Sequence, residues 1–238
     1  MSPKPAAASE RGTVGRVGQY LDIAAAGVLF DMDGTLIDST AAVEAVWTTF
    51  GEQYGIDPSE VLAFAHGRQP IDTLTRFLPD RSRHERLALA RALTDHEVRL
   101  TDDITEIAGA AALIDSLVAM RAPVALVTSA RRDLAVSRMK AGGVLLPDVL
   151  VTSEDVERGK PDPEGYRRAA ARLGVPIERC VVFEDAEAGL TAAIDSGAHV
   201  VVVGGHDSPV TSGLDRIPDF TSVTVELDGD GVRIRAAG

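Results

Sequence analysis

Short uninterrupted apolar runs recur along the chain: Val28–Phe30, Val124–Val127, Val149–Val151, Val181–Phe183 and Val200–Val203. Valine-rich runs of this length, closed by turn residues, suit strands buried on both faces, as in a parallel sheet. Helical patterns lie between them. Asp162-Pro163 opens one and Gly174 closes it, the N-cap, first-turn proline and terminal glycine expected of a helix of about ten residues. The next runs from about Ala186 to Ser196 and stops at Gly197, and further helices fit Ala110–Met120 and Arg132–Lys140. Strands alternating with helices predict a doubly wound α/β core with a parallel sheet, built from 27–38 and 109–238.

The stretch 39–108 breaks that alternation, because it contains helical patterns and no convincing strand. Val43, Val46/Trp47, Phe50 and Tyr54 repeat at helical spacing, and Leu87, Leu89/Ala90, Leu93 and Val98 suggest a second stripe. A helical insertion leaving the carboxyl end of the first strand stands over the edge where such sheets bind ligands. It is placed to act as a cap, or lid. At the far end, the alternation in TSVTVELDGDGVRIRAAG around Asp228-Gly229-Asp230-Gly231 predicts a β-hairpin. Residues 1–26 are rich in Ala, Gly and Pro and read as a flexible tail. Gly12, Gly15 and Gly18 have the wrong spacing for a dinucleotide loop.

Composition narrows the function. At 45% apolar and 25% charged, the chain has the balance of a globular protein. It has no apolar run long enough to span a membrane. One cysteine, Cys180, excludes an internal disulfide and fits a reducing, cytoplasmic setting. The net charge of −12 argues against nucleic acid or anionic lipid as partner. An anionic substrate must therefore be held by local cations.

Four motifs fall at the predicted strand ends. Val28-Leu29-Phe30-Asp31-Met32-Asp33-Gly34-Thr35-Leu36 ends the first strand in two carboxylates one residue apart. A polar turn is one reading. A calcium loop is excluded because Leu36 and Ala42 stand where Gly and Glu are needed. The chemical reading gives Asp31 the attack on phosphorus and Asp33 the proton transfer. Val127-Thr128-Ser129-Ala130 offers hydroxyls and backbone N–H groups to phosphate oxygens, or merely caps a helix. Gly159-Lys160-Pro161-Asp162-Pro163 brings in Lys160, one of only three lysines, on a backbone stiffened by two prolines. Phe183-Glu184-Asp185-Ala186-Glu187-Ala188-Gly189 ends a strand in two acids, which either favour a helix dipole or join Asp31 and Asp33 as hard oxygen ligands for Mg2+.

In this order the motifs resemble the haloacid dehalogenase-like hydrolase superfamily, in its subgroup with a helical cap after the first motif. The resemblance covers roughly 27–205. It implies Asp31 as a nucleophile forming an aspartyl-phosphate and Asp33 as general acid/base. It also implies Mg2+ on Asp31, the backbone carbonyl of Asp33 and Asp185, with Glu184 close by, and phosphoryl binding by Thr128, Ser129 and Lys160. Metal and Lys160 would keep Asp31 ionised. Dehalogenases of this superfamily lack the second aspartate, and its phosphonatases need a cap lysine, absent between residues 41 and 107.

The segment Ala65-His66-Gly67-Arg68-Gln69-Pro70-Ile71-Asp72 and the stretch around Trp47 are similar to the glycerol-phosphate and deoxyglucose-phosphate phosphatases. This implies a phosphatase of small sugar or polyol phosphomonoesters, with a β-phosphoglucomutase-like mutase as the alternative. His66, Arg68 and Asp72 are candidate hydroxyl-binding groups. Arg68 also suits a solvated position and Asp72 a helix cap, while Trp47 suits the cap core. Arg131 and Arg132 either screen phosphate or open a solvated helix. A monomer is expected, since the cap closes the site in cis. Neither His84-Glu85 nor His96-Glu97 completes a zinc HExxH motif.

Overall fold

A computed structural model describes residues 20–237. The chain starts with strand β1 (Leu21–Ala25), β2 (Gly27–Phe30) and the short β3 (Ile37–Asp38). Four helices follow: α1 (Thr40–Tyr54), α2 (Pro58–Ala65), α3 (Pro70–Phe77) and α4 (Arg83–Glu97). After β4 (Thr105–Glu106) come α5 (Ala110–Ala119), β5 (Val124–Val127), α6 (Arg132–Ala141), β6 (Val149–Val151) and α7 (Glu164–Leu173). The chain then forms β7 (Cys180–Glu184), α8 (Glu187–Ser196), β8 (His199–Val203) and β9 (Asp215–Ile217). Strands β10 (Val223–Asp228) and β11 (Gly231–Ala236) complete it.

The main sheet is wholly parallel, in the order β6-β5-β2-β7-β8-β9. The chain builds outward from β2 on one side and then on the other, so the strand order reverses beside β2. Ligands bind at such a reversal, outside the carboxyl ends of the strands. Alternate residues of each strand feed two separate cores. Val28, Phe30, Leu126, Val181 and Phe183 pack with α5 and α6 on one face; Leu29, Ala125, Val127, Val182 and Val200 pack with α7 and α8 on the other. Phe30 stacks on its register partner Phe183 at 5.1 Å, and Phe220 closes edge-on against both. This double burial is why the strands read as continuous apolar runs.

The first-strand, helix and hairpin expectations hold, with local corrections. Residues 21–25 do not belong to a tail: β1 pairs antiparallel with β11, making a three-stranded sheet β1-β11-β10. The tail reading of residues 1–19 lies outside the described residues. Asp228 pairs with Gly231, so Gly229-Asp230 is the two-residue hairpin turn, with Gly229 at φ +60°. Pro163 rather than Asp162 is the N-cap of α7, and Asp162 Oδ1 accepts the Glu164 N–H at 3.0 Å. The stretch expected to lack strands contains β4, a two-residue pairing with β3 at the cap's root.

The helices α1–α4 form their own small core around Trp47, Phe50, Val61 and Leu74. Trp47 packs in that core, edge to face with Phe50 at 5.5 Å, and also lines the cleft over the site. Glu85 completes a capping box with Ser82, which accounts for the acid in the His84-Glu85 pair. No helix among the described residues is long and apolar enough to cross a membrane.

Candidate active site

The site is assembled at the carboxyl edge of β2, β5 and β7. Asp31 continues β2, its backbone N–H donating to Phe183 O at 3.0 Å, and the side chain is buried. Lys160 reaches it from the loop before α7: Nζ donates to Asp31 Oδ1 and lies 3.6 Å from Glu184 Oε1. The ring of Tyr166 sits beneath that ammonium, 5.0 Å away. Thr128 follows β5 and is buried, with its Oγ1 accepting the Ala130 N–H at 3.0 Å. Asp185 follows β7, its Oδ1 accepting from Thr35 Oγ1 at 2.9 Å.

Two glycines make this convergence sterically possible. Gly34 has φ +86°, and a Cβ there would stand 2.0 Å from Asp185 Oδ2; at Gly189 it would stand 2.0 Å from Glu184 Oε1. Any larger side chain displaces one of the two acids.

Oxygen atoms of Asp31, Glu184 and Asp185 lie within 4.8 Å of one another. The Asp33 carboxylate is not in that cluster. Its Oδ1 accepts from Ser39 Oγ at 2.7 Å and Arg138 Nη1 at 2.8 Å, while Arg138 Nη2 donates to Glu97 Oε2 at 3.2 Å. The two aspartates therefore occupy different electrostatic settings despite being two residues apart.

Burial raises the Asp31 carboxyl above its ordinary range, with Lys160 opposing it. Lys160 acts in the expected direction but does not by itself outweigh burial. Burial and the Asp31 charge also raise Glu184, and push Asp185 up to about 8 against the Thr35 hydrogen bond. Burial disfavours the Lys160 charge, but Asp31 and Glu184 outweigh it and hold the amine protonated. Neither Glu184 oxygen has a hydrogen-bond partner among the described residues. Carboxylates this crowded and raised, one of them without a hydrogen bond, are what a divalent cation relieves, and oxygen-only donors suit Mg2+. The residues present fit that ion.

A cleft of about 200 Å3 lies between this edge and the cap. Asp31, Asp33, Thr128, Ser129, Asp185, His66 and Arg68 line it, together with Thr94, Glu97 and Arg138. Asp72 does not; with Arg68 and Gln69 it lines an open groove beside the Lys160 loop. Nor is it the N-cap of α3, a position held by Gln69. Arg68 stacks over Phe64 with its guanidinium carbon 4.4 Å from the ring centroid. The Ser129 hydroxyl donates to Gly67 O of the cap at 2.8 Å, leaving its side chain a cap contact. Arg131 is paired with Asp133 and Asp95, and Arg132 lies 3.6 Å from Asp155.

Ser39, Glu97, Arg138 and Tyr166 were not singled out as site residues by the sequence reading. Arg138 carried a signal: it falls on the buried stripe of α6 with Leu134, Ala135 and Met139, where a cation needs a partner. Glu97 carries no such signal, since in the sequence it stands only in an incomplete zinc motif with His96.

A doubly wound sheet, a helical cap and an Asp31–Lys160–acid cluster define a capped hydrolase of known type. The haloacid dehalogenase-like hydrolase family matches residues 25–197, and the chain belongs to it. Hexitol phosphatase A of Escherichia coli (strain K12) is 39% identical over 208 residues, covering 86% of this chain and 96% of its own length. The 2-deoxyglucose-6-phosphate phosphatase 1 of Saccharomyces cerevisiae is 34% identical over 218 residues, covering 83% and 89% respectively. The crystal structure of a β-phosphoglucomutase from Clostridium difficile superposes with a TM-score of 0.72 over 82% of this chain and 91% of that one. At 21% identity, that likeness shows the fold alone.

Proposed function

We propose that the chain is a Mg2+-dependent phosphatase of small sugar or polyol phosphomonoesters that works through an aspartyl-phosphate on Asp31. The observation that carries this reading is the separation of the two aspartates. Asp31 is buried against Lys160 beside the acid cluster, whereas Asp33 faces the same cleft bonded to Ser39 and Arg138. This separation supports attack by Asp31 and proton transfer by Asp33. The sugar- and polyol-phosphate names of the relatives supply the substrate class.

Asp31, Glu184 and Asp185 would hold the metal, with the Asp33 backbone carbonyl that the family pattern adds. When bound, Mg2+ draws negative charge from the phosphoryl oxygens. Lys160 and the N–H groups following Thr128 receive the phosphate, and Lys160 also fixes the Asp31 carboxylate. The cap excludes water, with the Ser129–Gly67 bond holding the substrate loop against the core.

Asp31 then attacks phosphorus. As the carboxylate–phosphorus bond forms, the bond to the leaving oxygen breaks and Asp33 gives that oxygen its proton. In the second half, Asp33 takes a proton from the water that attacks the aspartyl-phosphate, releasing phosphate and restoring Asp31. His66, Arg68 and Thr94 offer hydroxyl-binding groups on the cap side of the cleft. The lone buried thiol of Cys180 agrees with a cytoplasmic setting, and closure in cis agrees with a monomer.

The test is phosphate release from a panel of hexitol, deoxysugar and glycerol phosphates, with Mg2+ and with EDTA. Metal-dependent release concentrated on one or two of them is the expected result. Conversion of β-glucose 1-phosphate only in the presence of a bisphosphate, without phosphate release, would overturn it in favour of a mutase.

A further inference from the structure

Outside the nucleophile's surroundings, the molecule holds a second buried ionic group that the mechanism above does not explain. Arg138 of α6 is 3% exposed and Glu97, the last residue of α4, is 5% exposed. The guanidinium uses one terminal nitrogen on Asp33 of the core and the other on Glu97 of the cap. Burying an arginine between two carboxylates costs desolvation that a structural ion pair seldom recovers in full. Apolar residues would join these two helices at lower cost.

The junction does not need Arg138 to hold it together. Asp95 Oδ1 accepts from Arg131 Nη2 at 2.8 Å, and the Val98 carbonyl accepts from Ser137 Oγ at 3.1 Å. These bonds already dock the end of α4 on α6. What Arg138 adds is directed at Asp33. With Ser39, it places two donors on Oδ1, while Oδ2 has no bond to a described residue. An acid held by both donors on one oxygen must keep its transferable proton on the other. The planar fork of an arginine fixes that choice in a way a lysine's rotating ammonium does not.

Resting on the phosphatase reading, we infer that Arg138 is a positioning residue for the Asp33 proton transfer, and that Glu97 is the cap's contribution to holding Arg138 in place. As the Asp31–phosphorus bond forms and the ester P–O bond breaks, the proton leaves Asp33 Oδ2 for the departing alkoxide. Arg138 keeps that oxygen presented to the cleft and touches neither reacting atom. Its share of the effect is set by geometry, for which a misplacement of about an ångström costs on the order of 100-fold.

Leaving groups separate this role from a merely structural one. An alkyl phosphate needs its leaving oxygen protonated, whereas p-nitrophenolate departs unaided. The comparison uses kcat/KM, which reports only steps through the first phosphoryl transfer, so the later hydrolysis of the aspartyl-phosphate does not enter. For Arg138→Gln, kcat/KM on the preferred sugar phosphate is expected to fall about 10–100-fold, and on p-nitrophenyl phosphate by less than about 3-fold. Glu97→Ala should show the same selectivity with a smaller loss. Adding it to Arg138→Gln should bring little further loss, since both act through one contact.

Because Arg138→Gln leaves Glu97 buried beside no cation, the pair is also replaced together as Arg138→Met with Glu97→Leu. That variant restores an apolar junction and keeps the selectivity test intact. Selective loss on the alkyl phosphate in this variant, with the melting temperature held, supports the inference. Equal losses on both substrates in active protein overturn it and leave the phosphatase reading standing. A wild-type protein that cleaves neither substrate overturns both.

Discussion

Two buried ionic groups, each a single cation set among carboxylates, meet at the tip of one strand. In the first, Asp31 and Glu184 share the ammonium of Lys160, with Asp185 alongside. In the second, Asp33 and Glu97 share the guanidinium of Arg138. The first lies wholly within the core; the second crosses from core to cap. Three carboxylates against one ammonium leave two negative charges, which a divalent cation neutralises. Two carboxylates against one guanidinium leave one, which a single proton neutralises. The difference in excess charge fits the proposed division, with the metal beside the first group and proton transfer at the second.

The first group should show the larger effects. Asp31→Asn is expected to lower kcat by at least about 10^4-fold, because a carboxamide cannot form the covalent intermediate. The melting temperature should stay near the wild-type value; a near-normal rate would remove Asp31 as nucleophile. Asp185→Asn takes away a proposed ligand and part of the crowding. At 100 times the dissociation constant, Mg2+ should stabilise the wild-type protein by about 2.7 kcal/mol. In the variant that gain should shrink towards zero at the same Mg2+ concentration, read as a melting-temperature shift with and without EDTA. An equal shift in both proteins would take Asp185 out of the metal site.

The second group sharpens the contrast through pH. Burial pushes the Glu97 carboxyl up to about 7, against the pull of Arg138. The folded chain then holds a proton that the unfolded chain releases near 4.5. A raised carboxyl makes stability fall as pH rises from about 5 to about 7, and the loss is complete above that. Glu97→Gln cannot ionise, so it should flatten this fall by about 1–3 kcal/mol in metal-free protein. Chemical denaturation at pH 5, 6 and 7.5 checks it, and identical pH profiles for both proteins would contradict the raised carboxyl.

The parts visible in the sequence were those written in local chemistry. Valine runs marked the buried strands because both sheet faces are covered, and Gly174 and Gly197 marked helix ends because both take positive φ there. Asp31 and Asp185 were legible because each follows an apolar strand run, and Lys160 because it is a rare lysine followed by two prolines, although it stands in the loop before α7 rather than at the end of β6. What stayed hidden depends on contacts between distant segments. Glu97 and Arg138 are 41 residues apart and become a pair only when α4 docks on α6. Strand β9 escaped notice because Asp215 and Arg216 carry no apolar pattern; only the edge position on the sheet makes them a strand. Asp72 suited either a hydroxyl-binding group or a helix cap, but Gln69 holds the cap and the helical turn after Pro70 carries Asp72 to the groove beside the Lys160 loop.

The division of labour between the two aspartates is tested most directly by trapping the covalent intermediate. Asp33→Asn should lose about 10^2–10^4-fold in turnover, the usual worth of a general acid/base. With its second half-reaction slowed, and with a leaving group that departs unaided, this protein, quenched within seconds of mixing with 32P-labelled p-nitrophenyl phosphate and Mg2+, should carry acid-stable label on the peptide containing Asp31. Label there in Asp33→Asn, and none in the Asp31→Asn/Asp33→Asn double variant, is the predicted result. Steady turnover by Asp33→Asn with no label on that peptide would contradict it.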